Sequence, residues 1–230
     1  MFLNEFIRRA NNIIFDYDEP IQYLNGRGIV EADIKTYSLG YVRHATVKKQ
    51  DSEEYRALSE GTYGFRLLQK KILFPLRNIL GVVNGICTRD ISQKRYNQFF
   101  LSEASKIGAF FGLHEALPHI YKTRKVFVHE GAIDAISFAK VFPNSISSLT
   151  SFLNEAQYEH LTLLCDKIIL VYDDDPAGHT GEYKMKRYYG DKYIETVYIG
   201  TDDSNTYLRM QGPVKFEEYI RSKIPKYLQG

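Results

Sequence analysis

The chain has 230 residues, of which 44% are hydrophobic and 25% charged, a balance that fits a folded globular protein and excludes a disordered, collagen-like or mucin-like one. Its net charge of +2 hides an asymmetry: residues 1–125 carry 19 Lys+Arg against 13 Asp+Glu, and residues 126–230 carry 11 against 15. A basic half joined to an acidic half suggests two tasks, one of them facing a polyanion.

The first segment places Phe2, Leu3, Phe6, Ile7, Ile13 and Ile14 at helical spacing. Pro20 opens a second short segment that Gly26–Gly28 breaks, and a third helix fits 31–37, stopped at Gly40. Residues 44–66 are polar and carry no clear period. Two β segments follow, 72–77 and 81–88, with Asn78 near their turn. Residues 90–106 are polar and aromatic, and 107–120 reads as a helix. From 125 the pattern changes to strands at 126–129, 145–149, 167–172 and 193–199, alternating with helices at 132–141, 154–164 and 177–189. That alternation predicts βαβ units and a mostly parallel sheet. The expected class is α/β, α+β overall: a parallel βαβ sheet domain behind a smaller basic α+β subdomain.

Two cysteines, Cys87 and Cys165, exclude a disulfide scaffold and a zinc finger made from this chain's cysteines alone. Cys165 reads as a buried reduced thiol. No apolar run approaches the ~18 residues of a membrane span. Glu5, Arg8 and Arg9 follow a very short apolar patch, which does not read as a secretory signal. A cytoplasmic protein with no membrane partner is expected.

In parallel sheets, ligands bind at the carboxyl ends of strands. There the sequence places acids. Glu130 and Gly131 follow the 126–129 strand, with Asp134 one helical turn on. Asp173, Asp174 and Asp175 follow the 167–172 strand, with Pro176 where a helix begins. In an extended segment Asp173 and Asp175 point one way and Asp174 the other. Carboxylates aimed at one spot repel unless a cation lies between them, and hard oxygen ligands suit Mg²⁺ or Mn²⁺. Helix capping is the competing explanation for such turns. Asp202 and Asp203 follow the 193–199 strand. His129 and His179, beside the acidic turns, read as structural or supporting groups.

These turns resemble the Toprim domain of bacterial-type primases, topoisomerases and some nucleases. Four further segments are similar to DnaG-type primase motifs, in the family's order: YLNGRGIVEADIKTYSLGYV (23–42), FPLRNILGVVNGICTR (74–89), SKIGAFFGLHEAL (105–117) and TDDSNTYLRMQG (201–212). The resemblance implies a primase catalytic core. Residues 1–122 would form a basic template- and NTP-binding subdomain, 123–212 the Toprim domain, and 213–230 a short tail. It implies metal binding by Glu130, Asp134, Asp173, Asp175 and Asp203, with Glu130, Asp173 and Asp175 catalytic, two or more Mg²⁺ or Mn²⁺ ions, and no zinc. Arg27, Arg77, Arg89, Lys94, Arg95 and Lys106 would bind nucleotide and template. The segment 66–106, with eight Lys+Arg and two acids, suits single-stranded DNA. Tyr96, Phe99 and Phe100 are either stacking groups or core.

The implied activity is synthesis of short RNA primers from NTPs on single-stranded DNA. A replicative helicase and a separate zinc-binding or initiation factor are the implied partners, and a bacteriophage or mobile element the implied setting. A Toprim-type nuclease and a non-catalytic nucleic-acid-binding module are the alternatives. The chain departs from the family at Asp174, Pro176, Ser204 and Asn205, and lacks the glycine of the family turn at Ser148–Ser151.

Overall fold

A computed structural model describes residues 2–43, 68–93, 96–100, 108–200 and 204–229. They fall into two units, Met1–Ala109 and Phe110–Gly230.

In the first unit, helix α1 (Phe2–Ile13) buries Phe2, Leu3, Ile7 and Ala10 against Leu73, Val83 and Ile86. Its exposed side holds Glu5 between Arg8 and Arg9. Those two guanidiniums draw the Glu5 carboxyl down to about 2. Helices α2 (Asp18–Gly26) and α3 (Glu31–Thr36) follow. Asn11 ties α1 to them, donating to the Ile34 and Leu39 carbonyls. An antiparallel sheet then runs β1 (Gly40–Val42), β2 (Lys71–Arg77), β3 (Val83–Asp90), β4 (Tyr96–Phe100), in that spatial order. Asn78 shapes the β2–β3 turn by accepting from the Leu80 and Val82 amides. Strand β4 lies in the stretch that sequence pattern left unassigned. As an edge strand with no fully buried residue, it shows little hydrophobic alternation.

The second unit begins with α4 (Leu113–Thr123). The helix expected from 107 starts later because Gly112 takes a left-handed conformation (φ 80°). Leu113, Ala116 and Ile120 pack into this unit's core, so the division expected between 122 and 123 falls instead at 109/110. A wholly parallel sheet follows, in the order β6-β5-β7-β8: β5 (Lys125–His129), β6 (Ser145–Ser147), β7 (Lys167–Tyr172) and β8 (Ile194–Tyr198). Between these strands run α5 (Ala132–Ala139), α6 (Glu155–Leu164) and α7 (Pro176–Tyr189).

Both faces of the sheet are covered. Val126, Val128, Ile168 and Leu170 pack with residues of α4, α6 and α7, while Phe127, Ile169 and Val171 pack with Phe138 of α5. This explains the continuous apolar run KIILVY: a strand buried on both sides has no polar face to alternate with. The expected tail at 213–230 is structured. Helix α8 (Ser204–Lys223) bends at Gly212–Pro213, and α9 (Lys226–Gln229) ends the chain. Phe216, Ile220, Ile224 and Leu228 recur every four residues and are buried on the α5 face. Their spacing is a helical signal that the intervening charges obscure. Among the described residues no helix is long and apolar enough to cross a membrane.

Cys87 and Cys165 are both buried, and burial pushes each thiol up to about 12. A thiol reagent at pH 8 is therefore expected to label neither cysteine in the native protein and both after denaturation, read by mass spectrometry. Replacing Phe216 with alanine is expected to cost about 3–5 kcal/mol of stability, measured by urea unfolding, since it empties a fully buried ring site.

Candidate metal centre

Parallel pairing of β5 with β7 sets Val128 opposite Leu170, so the two acidic turns leave the sheet at the same end. Glu130, Asp134, Asp173 and Asp175 line one cleft of about 210 Å³, with His129, Tyr172 and Gly178 among its other walls.

Each acid is held by local backbone logic. Asp175 caps α7: its Oδ1 accepts from the Gly178 amide at 2.7 Å, and Pro176 opens the helix. Capping and cleft lining thus coexist in one carboxylate. Asp173 and Asp175 face the cleft, while the exposed Asp174 lies outside its walls. Asp174 stands 2.9 Å from Nε2 of His179, whose Nδ1 meets the Tyr198 hydroxyl at 2.9 Å. Tyr198 in turn donates to Glu182. Burial raises Glu182, but its hydrogen bonds to Lys186 and Tyr198 prevail and leave it lowered. The Asp174 amide bonds the Gly200 carbonyl, tying the turn to the end of β8. A side chain at Gly178 would collide with the Asp173 carbonyl oxygen, so the helix can approach the turn only with glycine there.

On the other turn, the Asp134 carboxylate folds back over Gly131. Ser147 Oγ donates to the Glu130 carbonyl at 2.9 Å, and the Ser148 amide and hydroxyl both donate to the His129 carbonyl. Leu149, where the family turn's glycine is missing, takes a left-handed conformation at φ 62°. Protein around the Glu130 carboxyl, and then the charge of Asp175, hold its pKa above the usual carboxylate range. The His129 ring is 3% exposed and packs on Phe138 at 4.6 Å. Its Nε2 has no hydrogen-bond partner. Burial lowers this imidazole to about 3, so the ring is neutral. Leaving such a nitrogen unsatisfied costs about 1–3 kcal/mol. Sequence pattern marked His129 only as a supporting group; its place in the cleft wall depends on the sheet register.

Four carboxylates around one cleft supply the hard oxygen donors that Mg²⁺ or Mn²⁺ takes, and the raised Glu130 reports the mutual repulsion that such an ion relieves. The donor chemistry therefore fits a divalent cation. Among the described residues, no three or more His, Cys, Asp or Glu side chains already stand close enough to hold one. Asp203 lies outside the described residues. Asn205 is not among the cleft walls: it is buried and donates to Ser137 Oγ at 3.0 Å, anchoring α8 to α5.

The basic residues belong to the first unit. Arg89 is buried in β3, donates to the Tyr23 hydroxyl at 3.1 Å and lies over the Tyr96 ring at 4.2 Å. Arg27 lies over the other side of this group, 5.8 Å from the Tyr23 ring centre. Tyr23 therefore brings Arg27 and Arg89 together. Arg77 does not join them: it pairs with Val83 at the far end of β2, whereas Arg89 pairs with Ile72. Phe99 packs on the core of this unit, while Tyr96 is 42% exposed. Lys94, Arg95 and Lys106 lie outside the described residues.

Residues 127–208 match the Toprim-like family. These residues form a Toprim-like domain. The chain is 28% identical over 176 residues to a DNA primase of Rickettsia typhi, a match covering 70% of this chain and 30% of the relative. It spans about a third of the length of the curated relatives it matches. Among solved structures, the Aquifex aeolicus primase (zinc-binding and RNA polymerase domains) superposes with a TM-score of 0.78 at 21% identity, covering 95% of this chain and 60% of that one. A DnaG primase catalytic domain bound to single-stranded DNA gives 0.67 at 20% identity, covering 90% and 72%. The fold is that of the DnaG catalytic core, with the Toprim-like domain supplying the acidic cleft.

Asp175→Asn keeps the capping oxygen and removes the charge. It is expected to leave the melting temperature near wild type while weakening Mn²⁺ binding at least about tenfold by calorimetric titration. Asp175→Ala should additionally lose about 1 kcal/mol of stability.

Proposed function

We propose that the chain is the catalytic core of a DNA primase, a nucleotidyltransferase that makes short RNA primers from NTPs on single-stranded DNA. The observation that carries this reading is the placing of Glu130, Asp134, Asp173 and Asp175 around one cleft at the carboxyl end of a parallel sheet, in a Toprim-like domain with primase relatives. Glu130, Asp134, Asp173 and Asp175 would hold divalent Mg²⁺ or Mn²⁺, two or more ions with Asp203 contributing. When bound, such ions supply Lewis acidity at phosphoryl oxygens and lower the pKa of an attacking hydroxyl. The chain's own part is positional. Ser147, Ser148 and the α7 N-terminus fix the two turns, and Glu130, already raised in pKa, is suited to take a proton near the reacting hydroxyl.

The first unit would engage the polyanions. The Arg27–Tyr23–Arg89–Tyr96 group combines guanidinium charge with an exposed aromatic face, the pairing that binds phosphate and stacks a base. Arg77, Lys94, Arg95 and Lys106 would extend that footprint. A replicative helicase and a separate zinc-binding or initiation factor are the partners this reading implies. A cytoplasmic setting follows from the same reading.

Labelled-NTP incorporation on single-stranded DNA with Mg²⁺ or Mn²⁺ tests this. Wild type is expected to yield short RNA, and Asp173→Asn to lose at least about a hundredfold in rate, as removal of a group that stabilises developing charge does. Template degradation in place of synthesis would transfer the site to nuclease chemistry. The absence of a converged ligand group among the described residues favours the non-catalytic reading, which failure to bind Mn²⁺ would establish.

A further inference from the structure

We propose that His129 is a nitrogen ligand in the cation site of the acidic cleft and biases that site toward ions of the Mn²⁺ class over Mg²⁺. This rests on the reading of the cleft as a divalent-cation site.

His129 lines the same cleft as Glu130, Asp134, Asp173 and Asp175. Its backbone is fixed by two hydrogen bonds from Ser148, at 3.0 Å from the amide and 3.2 Å from the hydroxyl. Its ring is fixed by Phe138. Thus the imidazole is held in place from both ends, yet Nε2 meets no protein partner. A buried polar atom without a partner points to one that is supplied from outside the chain. The chemistry of the cleft limits what that partner is. The groups sharing it with His129 are carboxylates, which accept hydrogen bonds and cannot satisfy an imidazole lone pair. A cation satisfies both at once. A leucine would fill the same apolar niche beside Phe138 without an orphaned nitrogen, so packing alone gives no reason for histidine here.

Metal preference follows from the added ligand. Mg²⁺ demands hard oxygen donors in near-octahedral order. Imidazole suits the later, more polarisable divalent ions, so one nitrogen among carboxylates strengthens Mn²⁺ more than Mg²⁺.

The test is Mn²⁺ bound to the full chain and studied by pulsed electron paramagnetic resonance. Wild type is expected to show ¹⁴N coupling from a directly bound imidazole. That coupling should vanish in His129→Leu and His129→Asn and persist in His179→Gln. In competition titrations the two His129 variants should lose about tenfold in Mn²⁺ affinity and keep their Mg²⁺ affinity, whereas a purely structural role would weaken both ions alike. Should a His129 variant fail to fold, judged by circular dichroism, the wild-type and His179→Gln spectra still decide. Mn²⁺ bound without ¹⁴N coupling, or coupling lost on changing His179, overturns this inference and leaves the cation site standing. Mn²⁺ binding that is absent, or indifferent to Asp173→Asn, overturns both.

Discussion

The parallel pairing of β5 with β7 is the constraint on which the acidic cleft depends. The two strands are adjacent in the sheet although α5, β6 and α6 lie between them in sequence. Their register, Phe127 with Ile169 and Val128 with Leu170, brings the Glu130 turn and the Asp173–Asp175 turn to one edge. A parallel pair requires a long crossover, and burying both sheet faces stabilises it. Each buried Val, Ile or Leu contributes about 1.5–3 kcal/mol. The apolar interior thereby offsets the repulsion of clustering four carboxylates that its own packing does nothing to relieve.

Local devices then turn proximity into orientation. Asp175 caps α7 with one oxygen and still lines the cleft. Gly178 lets the helix come close enough for this to happen. Ser147 and Ser148, at the end of β6, hold the carbonyls of Glu130 and His129 from the opposite side. The β6 turn therefore acts on the site through hydrogen bonds without contributing a carboxylate. Asp174 is kept out of the cleft by strand alternation and paired with His179, which limits the negative charge that the three successive acids direct at one point.

Much of the second unit was legible because its strands and helices keep to clear periods. KIILVY could only be a strand buried on both sides, and the acids stood where parallel strands end. The misses have physical causes. Strand β4 carries no buried residue and so no hydrophobic stripe. The α4 start was masked because Gly112 lies inside an apolar stretch, Phe110–Leu113, that reads as continuous helix. The last helix was read as a tail because exposed charges separate Phe216, Ile220 and Ile224. Asn205 looked like a weakened ligand, whereas it is a buried anchor to Ser137.

By itself the sequence determined the fold class, the order of most elements and the acids that reach the cleft, because spacing and strand ends are local properties. Only the tertiary structure decided what those residues face. Arg27 and Arg89 meet across Tyr23, which joins residues distant along the chain. His129 is an ordinary strand residue until β6 pins its carbonyl and Phe138 covers its ring. Its orphaned nitrogen then arises from burial, and burial is a property of packing that no single stretch of sequence contains.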